Sequence, residues 1–413
     1  MKIKQLTFTL LAFVIWPLFT LIYSLVYYKN KSYKYIVPLF VAFLSLSIQI
    51  VPGSDLSSIL YDFSTFNIGN LSNYIINRVK GLESGGVELY ILTLSVLTKL
   101  IFFGDIQLFI ILQGLVIGTI FIFFLNHFYS TYTYSISKLI SSKIYIFFFI
   151  YFVSIFTALN GRFWTAHLIF LYLFINYLST MRKNYLYYTV LLVFVHQGFI
   201  FAPLIALFYL ITKEIYKIHY FYYFLLIISF FYSSSGFQLF HDTAYLFDNA
   251  YSAHISAYSS KQLDSSNFAI INNNTPWFLV LNQQLLFFTL TFSLFYYRYI
   301  SRLSYSKKSE NLYFFIILFM SFRNITHTIP SLGGRYEYIL CSLMLLLFLN
   351  LSLDNYIKIS NFPFIVSFLG IAFNFVIQFR MDSEMLYGYF WTLFPFINFI
   401  MFPHINFLKV IYH

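Results

Sequence analysis

The chain has 413 residues, is 60% hydrophobic and only 9% charged, and has a mean hydropathy of +0.75. A water-soluble domain needs a polar surface that this composition cannot supply, so soluble globular classes are excluded. The net charge of +11 does not mark a nucleic-acid binder, because the basic residues cluster in short loops between apolar runs and no basic, aromatic-interleaved RNA motif occurs.

A spanning helix needs about 20 apolar residues. In chain order, apolar segments fall at roughly 6–28, 35–52, 89–103, 106–127, 144–159, 163–179, 185–212, 220–235, 277–297, 312–329, 337–353, 361–379 and 387–403. The expectation is an all-α polytopic integral membrane protein with about 12 to 14 transmembrane helices, re-entrant or half helices included. It forms one transmembrane domain over 1–413, with no internal repeat or linker. Segment 6–28 is too long for a signal-peptide core and reads as the first span.

Basic residues Lys138, Lys143, Arg182, Lys183, Lys213, Lys217, Arg298, Arg302, Lys307, Lys308 and Lys358 mark the cytoplasmic loops. They alternate well if 185–212 crosses twice or dips in and returns, and the break at His196-Gln197-Gly198 with the later Pro203 favours such a pair. The opposite face then receives 160–162, 196–198, the long loop 236–276, 330–335 and 380–384. For the N-terminal third we favour a reading in which 89–103 lies in the interface. That keeps Lys29, Lys31 and Lys34 inside and makes the loop 53–88, like 236–276, extracytoplasmic. Lys2 and Lys4 then fall outside.

The stretch 322–339 (FRNITHTIPSLGGRYEYI) gathers Arg323, His327, Arg335 and Glu337 between long uncharged runs. Ionisable residues at membrane depth are expensive and mark function by default. Arginine offers a planar fork of donors suited to phosphate. Arg162, which follows Asn160-Gly161 and opens an apolar helix, serves equally as a snorkelling anchor. Arg335 sits beside Gly333 and Gly334, which let a ligand approach the backbone; an ion pair with Glu337 or a helix cap is the plainer reading. Arg323 and His327 share a helix face four residues apart, as a ligand-facing pair or as a satisfied pair within the bundle. His196 interrupts an apolar run and is a candidate general base, or else a buried hydrogen-bonding residue. Asp55, just after a span, is a second candidate base or a helix N-cap. Gln197 and Tyr336 complete the set of candidate contacts.

Cys341 is the only cysteine, so neither an intrachain disulfide nor a thiolate metal cluster can form. The chain has no P-loop, no dinucleotide turn, no His-Glu-x-x-His and no Asp-x-Asp pair. No cofactor or resident metal is expected. A substrate with its own leaving group, such as a lipid pyrophosphate, suits such an enzyme. The 24% aromatic content fits sugar-stacking surfaces, and equally the residue bias of an AT-rich gene.

Four pieces carry a resemblance: GSDLSSILYDF at 53–63, GRFWTAHLIFLYLF at 161–174, VFVHQGFIFAPL at 193–204 and GGRYEYI at 333–339. With the span count, they make the chain similar to the EpsG-like and Wzy-type O-antigen polymerases of bacterial surface-glycan synthesis. Departures occur at Phe163, where Gln is common in that family, and at Ser57–Ser58, where aromatic or basic residues are usual. The resemblance implies a multi-pass inner-membrane glycosyltransferase with its site facing the periplasm. It would move the growing glycan from undecaprenyl pyrophosphate to the terminal sugar of an incoming lipid-linked repeat unit. Arg162 and Arg335 would hold the pyrophosphate, His196 or Asp55 would activate the acceptor hydroxyl, and loop 236–276 would exclude water. Partners would be the undecaprenyl-pyrophosphate-linked oligosaccharide, membrane lipid and a chain-length regulator protein. The other readings are a lipid-linked oligosaccharide flippase, an O-antigen ligase and an acyltransferase; a flippase should show two related halves, which this sequence lacks.

Overall fold

The computed structural model describes residues 3–26, 33–48, 50, 55–79, 88–136, 140–152, 158–159, 161–215, 220–231, 277–301, 307–326, 332–353 and 362–384. Among these residues the fold is entirely helical, with sixteen α-helices and three short 3-10 turns. Three helices are long and apolar enough to cross a membrane, at Ile106–Phe128, Arg162–Thr180 and Gly333–Leu353. Segments 236–276 and 387–403 lie outside the described residues.

The first predicted span is two helices, α1 (Ile3–Ile15) and α2 (Pro17–Val26), rather than one. Pro17 has no N–H to donate to the Phe13 carbonyl, so one bond of the ladder is missing there, while the Trp16 N–H still reaches the Ala12 carbonyl at 2.8 Å. Helix α3 (Tyr33–Ser45) follows with Pro38 inside it. Within the segment 53–88, expected as a longer loop, residues 55–79 form α4 (Asp55–Thr65), a 3-10 turn and α5 (Leu71–Val79). Helix α6 (Leu89–Ile101) leads to α7 (Ile106–Ile136), which runs nine residues beyond the predicted end of its span at 127.

Helices α3 and α7 meet at backbone contact. A Cβ on Gly114 would stand 2.7 Å from Ala42 Cα, and one on Gly118 2.6 Å from Pro38 Cα. This is the small-x-x-x-small device by which membrane helices approach closely. Gly118→Ala is therefore expected to force the two helices apart and lower stability by about 1–3 kcal/mol, measured as a lower unfolding temperature in detergent; an unchanged temperature would show that the contact is not close.

The second half comprises α8 (Ile140–Phe152), α9 (Arg162–Thr180), α10 (Asn184–Tyr188), α11 (Phe201–Ile215), α12 (Tyr220–Phe231), α13 (Trp277–Ser301), α14 (Lys307–Thr326), α15 (Leu332–Leu353) and α16 (Phe362–Glu384). Two stretches that the sequence reading sets between apolar segments, 330–335 and 380–384, are helical where described. Residues 332–335 are the first turn of α15, and 380–384 are the last turns of α16. Helices α14 and α15 form the centre, with Leu312, Phe315, Phe319, Leu343 and Leu347 fully buried. The outer helices keep apolar groups exposed, among them Leu204, Phe224, Leu369 and Val376.

The 185–212 segment is a broken pair, as its sequence suggests. Helix α10 and a 3-10 turn (Thr189–Phe194) rise to His196, a second 3-10 turn (Gln197–Phe199) reverses the chain, and α11 packs back against α10. His196 meets Phe163 edge-to-face at the start of α9, whereas Lys213 donates to Tyr177 near the end of α9. Both ends of the pair thus lie at the same end of the bundle, and its apex lies at the other.

Cross-helix contacts fix the remaining directions. Ser45 pairs with Ile110, Phe152 with Tyr338, Ser229 with Asn324 and Phe287 with Arg323 at one end. At the other, Tyr209 pairs with Asn311, Arg298 with Tyr313, and Tyr145 with Phe348. Arg162, His196, Arg323 and Arg335 share the first end. Lys34, Lys143, Arg182, Lys183, Lys213, Arg298, Lys307 and Lys308 belong to the second. Helix α3 runs from the second end to the first, so Asp55 and Glu88, which bound the α4–α6 layer, stand at the arginine end.

Candidate functional site

Phe163, the second residue of α9, is fully buried and forms the floor of the site. Around its ring stand His196 at 5.7 Å, Phe199 at 5.1 Å and Tyr336 at 5.7 Å between centroids. The Arg335 guanidinium lies over the same ring, its Cζ 5.3 Å from the centroid, within cation–π range. The first turns of α9 and α15 and the apex of the broken pair therefore converge on one aromatic side chain.

Three ion pairs surround that floor, each joining separate elements. Arg162 Nη1 lies 2.7 Å from Glu88 Oε2, with side-chain exposures of 12% and 6%. Arg335 Nη2 lies 3.7 Å from Asp55 Oδ2, a looser and more open pair at 27% and 29%. Arg323 Nη2 lies 2.5 Å from Glu337 Oε2, and its Cζ sits 3.9 Å from the Phe287 ring centroid. Pairing is what makes buried charge tolerable at all. The alternative pairing of Arg335 with Glu337 is not the one formed: Glu337 turns to α14, and Arg335 turns to α4.

Asp55 sits in the crevice between α9 and α15. Its Oδ2 would lie 3.0 Å from a Cβ on Gly161, so a side chain there would displace it. As the first residue of α4, it also places negative charge at a helix N-terminus, where the dipole favours it. Glu88 precedes α6 and makes no capping bond to it; its carboxylate is spent on Arg162 instead. A cavity of about 10 Å³ lies beside that pair, lined by Asp62, Tyr74, Ile75, Glu88, Ile91, Leu92 and Arg162. It has room for about one water. Arg162 Nε is buried and has no hydrogen-bond acceptor among the described residues.

The apex is held from both sides. Tyr336, fully buried, donates its hydroxyl to the Gly198 carbonyl at 3.0 Å. The sequence reading has it as a substrate contact; its hydroxyl is engaged with the apex backbone. His196 Nδ1 accepts the Gly198 N–H at 2.9 Å, so in the neutral ring the proton resides on Nε2. A Cβ at residue 198 would come within 2.9 Å of His196 Cε1, so a side chain there would push the imidazole aside. Gln197 is half-buried in the same turn, its carbonyl accepting the Ile200 N–H at 3.0 Å.

Of the residues singled out by the sequence, Asp55, Arg162, His196, Gln197, Arg335 and Tyr336 come together around Phe163. Arg323 stands one pair away, through Glu337 on α15, and His327 lies outside the described residues. Sequence reasoning missed Glu88, Phe163 and Phe287 as parts of the site. A Glu directly before an apolar segment was the signal that the sequence offered for Glu88. No protein-family model, curated protein or solved structure matches the chain.

Proposed function

We propose that the chain is a multi-pass membrane glycosyltransferase of the surface-polysaccharide polymerase kind, acting at the arginine end of the bundle. The observation that carries this reading is the Asp55–Arg335 pair: a carboxylate and a guanidinium 3.7 Å apart, half-open, above an apolar floor. Gly334 beside it has open space where a side chain would be. The basic loops at the far end favour a cytoplasmic placement there, which puts the arginine end on the extracytoplasmic side.

The donor is a glycan on a lipid pyrophosphate such as undecaprenyl pyrophosphate, and the acceptor is a hydroxyl of an incoming lipid-linked unit. Asp55 accepts the hydroxyl proton as the oxygen attacks the anomeric carbon. The bond from that carbon to the diphosphate oxygen breaks, and its electron pair leaves with the diphosphate. Arg335, and Arg162 behind it, stabilise the departing charge. His196, whose Nδ1 is taken by Gly198, contributes a donor through Nε2 rather than a base. Arg323, Gln197 and His327 stand as candidate contacts to the sugars. A chain-length regulator is the protein partner this activity implies.

The test is the surface glycan of a strain lacking the chain. Single capped repeat units are the expected product. A strain with no surface units at all would instead indicate a flippase.

A further inference from the structure

Arg162 and Arg335 are both occupied, and by the same piece of chain. Glu88 and Asp55 are the two limits of the 55–88 segment, of which residues 55–79 fold as short helices at the arginine end. Glu88 makes no side-chain cap bond to α6, and Asp55 turns its Oδ2 to Arg335. Arg162 still carries a buried Nε–H without an acceptor among the described residues, so one carboxylate oxygen does not saturate it.

We infer that Glu88 and Asp55 are placeholders, internal anions that neutralise the two arginines until a diphosphate displaces them. A diphosphate offers more oxygens than the two carboxylates place on these guanidiniums, and bidentate phosphate contacts are stronger than a single carboxylate contact. Displacement has a second effect. Asp55 leaves Arg335 at the moment the donor arrives, so its oxygen becomes available to the acceptor hydroxyl only when a leaving group is in place. The layer thereby couples donor binding to activation of the base. This rests on reading the site as one for a lipid diphosphate; it adds that the empty site is closed by the protein's own acidic residues.

The experiment uses the full chain purified in detergent and inorganic pyrophosphate as the probe, with binding read from the unfolding temperature across a concentration series. Asp55→Asn and Glu88→Gln should each bind pyrophosphate about tenfold more tightly than the parent, the equivalent of removing one modest ion-pair competitor. Arg162→Gln and Arg335→Gln should lose most of the binding. Carboxylate variants that bind no better than the parent would overturn the inference. A second measurement leaves the pairs intact: spin labels at Tyr61→Cys on α4 (Tyr61 69% exposed) and Ile200→Cys by the apex (Ile200 39% exposed), with Cys341 fully buried. Pyrophosphate should produce a second, longer distance, and a single unchanged distance would overturn displacement of the layer. Neither readout involves glycan. If the deletion strain lacks surface units yet the carboxylate variants bind more tightly, the polymerase reading fails and the placeholders stand; the reverse pattern removes the placeholders alone.

Discussion

Replacing Asp55 by Asn is expected to slow glycan transfer by about 10²- to 10⁴-fold, the usual contribution of a positioned general base. The amide is nearly the same shape and still reaches Arg335, so the protein should insert and unfold normally; what is lost is the proton acceptor. Arg335→Lys should cost about 10²- to 10³-fold, because an ammonium cannot reproduce the fork of donors that stabilises a departing diphosphate. Both are read as single-turnover rates with purified lipid-linked repeat units, and in cells as loss of the long-glycan ladder. Asp55→Glu should retain part of the rate, since it keeps the carboxylate. Near-normal ladders in Asp55→Asn and Arg335→Lys together would remove catalysis from this pair.

The second large effect is on stability, at the Arg323–Glu337 pair. Both side chains are nearly enclosed, at 12% and 13% exposure, and link the two central helices. Removing one partner strands the other as an uncompensated buried charge, so Arg323→Ala or Glu337→Ala should destabilise by about 3–5 kcal/mol. Arg323→Met with Glu337→Gln should be milder than either single change, because no charge is then left behind. Unfolding temperatures of the two alanine variants and the double variant in detergent decide this. A double variant as unstable as the sum of its parts would mean that the two groups act independently.

The class of fold was legible because apolar runs of spanning length declare helices by themselves. Arg162 was legible too: a charge at the first position of an apolar helix, after glycine, is a boundary signal, and α9 begins there. The break at His196 could be read from the polar pair and glycine that interrupt an apolar run. Partners were another matter. Arg335 pairs with a residue 280 positions earlier in the chain, and no local periodicity carries that information. The Gly333–Gly334 pair read as a break in the apolar pattern, and it falls in the first turn of α15 rather than in a helix interior, where glycine is most costly. The apolar segment read as 361–379 continues as helix to Glu384, because backbone hydrogen bonding does not stop where the apolar run does. Gly114 and Gly118 lay in plain view at a four-residue spacing, and their meaning emerged only with α3 against them.

The tie between Tyr336 and Gly198 also bears on how the chain is made. The two residues are 138 positions apart, and Tyr336 is supplied by a helix that emerges long after the apex has been synthesised. Until then, the carbonyl of Gly198 lacks its hydroxyl donor, and Phe199 and Phe201 lack the ring they pack on. The broken pair therefore cannot settle in the order in which it is translated. It has to remain provisional while α12 to α14 are synthesised, and it gains that tie only when α15 arrives.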